Sequence, residues 1–333
     1  MTALDPTRAV LLPALDLPDG PRMLHPEISA FLDMVDEGRR AGRAALHEQP
    51  VAQARADFEA SSMALERGAA EVPVEALELA LEGRRLPARL YRASATQPAP
   101  VLLYFHGGGY TVGSLDSHDG LCRRLAEQTG AAVLSVGYRL APEAPFPAAL
   151  LDARDAWDWL QAQARALHLD PRRVALAGDS AGATLATVLA AQLAAEAGPQ
   201  PCAQLLFYPA ADASRRSESQ ELFAEGYLLE SASLDWFYQH YAPRTEQRAD
   251  WRCSPLLAGA ALRGSAPALV YAAEFDPLLD EGIAYARLLV EQGVEVEVER
   301  CAGMTHDFLR MGPLVPEVAG YYRRIGEYLR ERW

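Results

Sequence analysis

The sequence contains no lysine; every one of its 31 basic residues is arginine. That absence excludes a lysine Schiff base, a phosphate-loop lysine and a serine–lysine dyad. Cysteine is sparse as well. The four present, Cys122, Cys202, Cys253 and Cys301, stand far apart with no C-x-x-C spacing, so no disulfide, structural zinc or other metal site is expected and a reducing compartment is implied. No apolar run approaches membrane-spanning length. The N-terminal stretch Ala9–Leu15 is short, broken by Pro13 and flanked by Asp5 and Asp16, a poor secretory signal. Basic patches are also missing. The formal charge is −14, and the doublets Arg39-Arg40 and Arg323-Arg324 read as solvated helix faces. Nucleic acid and anionic membrane surfaces would be repelled, so the expectation is a cytoplasmic protein with no nucleic-acid partner and no stable membrane insertion.

What is present is a chain of 333 residues, half of them hydrophobic, enough for one large core with an appended segment. From about residue 100, short β-rich runs alternate with longer helical stretches, the signature of parallel β-α-β units. The predicted strands are Val101–Phe105, Ala132–Tyr138, Val174–Gly178, Gln204–Tyr208, Ala268–Phe275 and Val294–Cys301. The predicted helices lie near Ser117–Gln128, Pro147–Leu167, Ala181–Ala197, Pro277–Gln292 and Val315–Arg330. Before them, Leu77–Leu81 and Leu86–Tyr91 flank Glu82-Gly83-Arg84-Arg85 as an antiparallel hairpin at the sheet's edge. Together these make an α/β fold with a mostly parallel eight-stranded sheet flanked by helices. Residues 1–70 and 211–262 fall outside the alternation and are expected to form a helical cap on a catalytic domain of residues 71–210 and 263–333. In the insertion, Phe237, Tyr238 and Tyr241 share one helix side beside Trp236, as core or as apolar surface above a site.

The chemistry starts at Gly178-Asp179-Ser180-Ala181-Gly182, which follows the apolar run Arg173–Ala177 and precedes a helical stretch. A serine between two glycines at a strand-to-helix turn is how a nucleophile is presented. Upstream, Val101–Phe105 runs into His106-Gly107-Gly108-Gly109. Three residues without side chains leave backbone N–H groups open to an oxyanion, and the N–H of Ala181 supplies another. A G-x-G-x-x-G reading of Gly107–Gly113 fails on spacing. A serine needs a base and a group to orient it. With no lysine the base is a histidine, and among seven His306 stands where the α/β-hydrolase order of serine, acid and histidine puts it, in a loop after the last strand. Asp276, at the end of Ala268–Phe275 and before Pro277, is the leading acid. Capping of the next helix remains open for it, and Glu274 is its rival. His106 is read as bracing the glycine loop, and the other histidines as structural or surface groups.

These residues resemble the hormone-sensitive lipase family of α/β-hydrolases, the bacterial family IV esterases. The likeness spans most of the chain from about residue 100. It includes Tyr138-Arg139-Leu140-Ala141-Pro142-Glu143, Phe146-Pro147-Ala148-Ala149, Asp276-Pro277-Leu278-Leu279-Asp280-Glu281-Gly282 and His306-Asp307-Phe308, besides the two glycine motifs. The resemblance implies Ser180 as nucleophile, Asp276 as acid and His306 as base. It implies an oxyanion hole drawn from Gly107, Gly108, Gly109 and Ala181, with Gly108 and Gly109 favoured in the loop. It also implies a two-part lid and, through the sheet edge or C-terminal helix, a homodimer. One departure is Ala183, where many relatives carry a third glycine, which bears on helix packing. The expected activity is a serine carboxylesterase acting on a small-molecule ester of short or medium acyl chain, without cofactor. A binding protein on the same fold, as in plant gibberellin receptors, would lack a working histidine, whereas His306 is present.

Overall fold

The computed structural model describes residues 22–65, 68–93 and 97–333; the apolar stretch Ala9–Leu15 lies outside them. Eight strands form one sheet: β1 (Val74–Leu81), β2 (Arg84–Arg92), β3 (Ala99–Phe105), β4 (Ala132–Val136), β5 (Leu169–Asp179), β6 (Ala203–Phe207), β7 (Ala268–Phe275) and β8 (Val296–Thr305). Their order is β1-β2-β4-β3-β5-β6-β7-β8. The pairs β1/β2 and β2/β4 are antiparallel and the rest parallel. Hairpin and alternation thus appear as expected, and the carboxyl ends of β3, β5, β7 and β8 point to one edge of the sheet, where open α/β sheets bind ligands.

Among the described residues ten α-helices accompany the strands: α1 (Pro26–Arg40), α2 (Val51–Leu65), α3 (Asp119–Thr129), α4 (Ala148–Gln163), α5 (Ala181–Ala194), α6 (Glu218–Leu222), α7 (Ser231–Tyr241), α8 (Thr245–Arg248), α9 (Leu279–Glu291) and α10 (Val318–Arg330). Strand residues divide between two cores by the two-residue period of the pleat. Val101, Leu103 and Phe105 of β3 pack with α4, α5 and α9 through residues such as Trp157, Leu189 and Tyr285. Leu102 and Tyr104 pack with α1, α3 and α10 through Leu32, Leu125 and Ile325. Burying each such Leu or Ile side chain stabilises the fold by about 1.5–3 kcal/mol. Ala183 is fully buried in the first core, where its methyl is accommodated.

The segment between β6 and β7 carries α6–α8, and its aromatic stripe divides in two. Tyr238 and Tyr241 enter the main core, Tyr241 stacking on Tyr110 with centroids 3.7 Å apart. Phe237 instead joins Ala54 of α2 and Val112, just after the glycine loop, in a separate cluster. The stripe thus gives Tyr238 and Tyr241 to the main core and Phe237 to a separate cluster beside the glycine loop. Among the described residues no helix is long and apolar enough to cross a membrane.

Candidate active site

Ser180 occupies the junction of β5 and α5 with φ 52° and ψ −121°, backbone a side chain rarely adopts. The flanking glycines explain how that turn closes. A Cβ on Gly178 would lie 2.3 Å from the Gly182 backbone, and one on Gly182 would lie 2.0 Å from the Phe105 carbonyl oxygen. The Ser180 N–H donates to the Phe207 carbonyl at 2.8 Å, tying the turn to β6.

Sheet register brings the other two groups together. Phe275 of β7 pairs with Thr305 of β8, so the next residues, Asp276 and His306, emerge side by side. His306 Nδ1 is 2.7 Å from Asp276 Oδ2, and its Nε2 is 3.0 Å from Ser180 Oγ. A carboxylate only accepts, so Nδ1 carries the proton and Nε2 is free to accept from the serine hydroxyl. Burial, the largest influence on His306, pulls its pKa down, but the charge and hydrogen bond of Asp276, with Asp307 and Asp179, outweigh it and the pKa is raised. Asp276 Oδ1 accepts the Leu278 N–H at 2.8 Å, but α9 begins at Leu279 with Leu278 as its cap and no side-chain bond there, so Asp276 stands before the cap rather than in it. Glu274 is engaged elsewhere, by Arg300 and by the Gly303 N–H at 2.8 Å, and so fixes the strand that leads to His306.

The glycine loop requires one correction. The Gly107 N–H donates to Asp179 Oδ1 at 2.9 Å, so it is not available to an oxyanion. Among the described residues the N–H groups of Gly108, Gly109 and Ala181 have no partner within the chain. Gly108 and Gly109 have φ +107° and +56°; a Cβ on the first would lie 2.4 Å from the Val112 carbonyl oxygen, and one on the second 2.1 Å from the Phe237 ring. His106 does brace the loop. Its Nδ1 donates to the Gly107 carbonyl at 2.7 Å, its ring stacks on Tyr138 with centroids 4.4 Å apart, and the Tyr138 hydroxyl donates to the His106 carbonyl at 2.7 Å. Burial first, and the neighbouring His118, push its pKa down to about 3, so it is neutral.

Asp179 and His118 were not singled out as site residues in the sequence. Asp179 is fully buried and accepts the Tyr104 hydroxyl as well as Gly107, while its Oδ2 lies 3.3 Å from His118 Nε2. Burial, the largest influence, pushes this carboxyl up, but His118 and the Tyr104 hydrogen bond outweigh it and hold it well below the usual carboxylate range. An acidic residue inside an otherwise small-residue turn was the available signal. His25, at the start of α1, and His240, whose Nδ1 meets the Trp236 carbonyl, do not reach the serine.

The arrangement can remove a proton from Ser180, store it on an imidazole held by a carboxylate, and offer N–H donors to an oxyanion. The family model described as the alpha/beta hydrolase fold matches residues 102–310. The chain is 49% identical over 302 residues to an ethyl acetate hydrolase of Pseudomonas putida, covering 88% of this chain and 94% of that protein. It is 39% identical to a carboxylesterase of Mycobacterium tuberculosis, covering 70% of this chain and 74% of that one. Among solved structures, an ester hydrolase from the metagenome of Lake Arreo superimposes with a TM-score of 0.87 at 38% identity, covering 92% of this chain and 98% of that one. A thermostable esterase from Pseudomonas putida does so with a TM-score of 0.89 at 32% identity, covering 94% and 98%. The chain belongs to the hormone-sensitive lipase-like family of α/β-hydrolases and is a carboxylic ester hydrolase.

Proposed function

We propose that the enzyme hydrolyses short- to medium-chain acyl esters through an acyl-enzyme on Ser180, without a cofactor. Ser180 Oγ attacks the ester carbonyl while His306 Nε2 takes its proton, and Asp276 stabilises the imidazolium. The N–H groups of Gly108, Gly109 and Ala181 receive the oxyanion, each contributing about 3 kcal/mol at the transition state. His306 then protonates the leaving alcohol. A water, deprotonated by the same imidazole, releases the acid and restores Ser180.

One observation carries this reading: the unbroken hydrogen-bond chain from Ser180 Oγ through His306 to Asp276, at 3.0 and 2.7 Å. In the same reading the described part of residues 1–70, together with 211–262, forms a helical cap on a catalytic domain of residues 71–210 and 263–333. The meeting of α2 and α7 over the glycine loop, through Ala54, Val112 and Phe237, supports that division. A cytoplasmic setting accords with four cysteines, none of them in a disulfide. The test is hydrolysis of p-nitrophenyl esters from acetate to palmitate by the wild type and by Ser180→Ala. Turnover confined to short and medium chains and lost in a folded variant is expected; substantial turnover by purified Ser180→Ala, or a preference for palmitate, would refute the corresponding part.

A further inference from the structure

Arg55 of α2 reaches into the loops behind the proposed oxyanion hole and saturates three separate acceptors. Its Nε donates to the Thr111 carbonyl at 2.8 Å and its Nη2 to the Ala141 carbonyl at 2.8 Å. Its two terminal nitrogens grip the Glu143 carboxylate in a fork at 2.9 and 2.7 Å. The Thr111 and Val112 N–H groups both return to the Gly108 carbonyl, at 3.0 and 2.9 Å, and the Ala141 N–H donates to Tyr110 at 2.8 Å. The turn that carries Gly108 and Gly109 is therefore closed on itself through N–H groups, while the Thr111 carbonyl is fixed by a side chain from another element. The Arg55 guanidinium also draws the Glu143 carboxyl below its usual range, chiefly through their hydrogen bonds. Glu143 is 65% exposed at its side chain, and an ion pair of that kind contributes little to stability. A planar five-donor fork matches this set of acceptors, and an ammonium does not.

We propose that Arg55 is a positioning residue for ester hydrolysis, holding the Gly108–Gly109 donors in place from α2, so that seating this helix and assembling the oxyanion hole are a single event. The inference rests on the reading of Ser180 and the glycine loop given above. Ala54, the neighbouring residue, packs with Val112 and Phe237, and Glu59, one turn further along α2, accepts the Ser114 hydroxyl. The same helix thus meets the loop on both sides of the Arg55 contacts.

The test compares Arg55→Ala and Arg55→Lys with Arg154→Ala, which removes an arginine paired on α4 with Glu196 at 2.6 Å and Asp158 at 3.1 Å. Displaced donors cost turnover rather than substrate binding, so Arg55→Ala should lower kcat about 100-fold with KM changed less than about 3-fold. Its affinity for a boronic acid that forms the tetrahedral adduct should fall with kcat, while affinity for the carboxylate product stays unchanged. Arg55→Lys should fall between the two, and Arg154→Ala should match wild type. If Arg55→Ala keeps its kcat and shows only a raised KM or a lower melting temperature, α2 is a cover and the proposal fails. Should the Ala variant not fold, the same readouts on Arg55→Lys decide, with wild-type kcat and boronate affinity overturning it. Hydrolysis surviving in Ser180→Ala would instead remove the underlying reading, whatever Arg55 does.

Discussion

His306 illustrates how opposing environmental effects set a reactive group. Burial alone would keep the imidazole neutral; Asp276 reverses that and raises the pKa above its ordinary 6.5. Only the neutral ring can accept the serine proton, so activity is lost as pH falls through the raised value. The acid limb of kcat/KM is therefore expected above pH 6.5, and a limb at or below it would contradict the assignment. Asp276→Asn removes the upward pull and favours the wrong tautomer, so kcat should drop by about 10⁴ and the residual acid limb move to lower pH. Glu281 is a second buried titrating group. Burial, then the charges of Asp212 and Asp276, raise its pKa well above 4.5, while Oε2 accepts the Asp212 N–H at 2.9 Å. The folded state holds that proton longer than the unfolded chain. The stability contributed at low pH is accordingly lost as pH rises from the unfolded pKa through the folded one. Glu281→Gln avoids this loss, so its urea midpoint relative to wild type should climb between pH 5 and 8; a constant difference would be the contrary result.

At the scale of elements, strand cores were legible because β3, β4, β6 and β7 are buried on both faces and the later part of β5 is apolar, whereas β8 is marked only by its β-branched residues. Ends were less so. The helix predicted to reach Leu167 stops at Gln163, and β5 begins at Leu169 rather than Val174. His168, with φ 56°, turns the chain there, and the early part of β5 pairs with Ala99 across a register shift. Ser180, Asp276 and His306, the proposed site, stand out because each directly follows a strand and faces the same end of the sheet, although β8 before His306 carries Glu297, Glu299 and Arg300. Arg55 and His118 do not, since their partners Thr111 and Asp179 lie 56 and 61 residues away and no local pattern records such contacts. Conversely, the need for Gly182 is visible in sequence but its reason is tertiary: the close approach of the Phe105 carbonyl. Gly182→Ala should destabilise the protein by about 3 kcal/mol and lower kcat, measured by urea unfolding and steady-state kinetics; wild-type stability would show that the turn can relax.

For the molecule as a whole, the arginine-only, acidic composition fits a protein whose electrostatics is local pairing rather than a field for a polyanion. Its thiols are expected to react slowly because burial disfavours their thiolates. Burial pushes Cys202 up to about 11 and Cys253 up to about 12, and Cys122 and Cys301 are buried. Ellman's reagent at pH 8 should titrate four thiols in denaturant and few or none of them promptly in the native state, and dithiothreitol should leave the melting temperature unchanged; a reductant-sensitive melting temperature would reveal a disulfide. The covalent step lies at the centre of all these expectations, and it can be trapped. The enzyme would be inactivated with an alkyl phosphonate ester and the adduct located by intact-mass and peptide mass spectrometry. One equivalent on Ser180, with loss of activity in step and no labelling of Ser180→Ala, is the expected result; inactivation with the label on another residue, or full labelling of the variant, would contradict the mechanism.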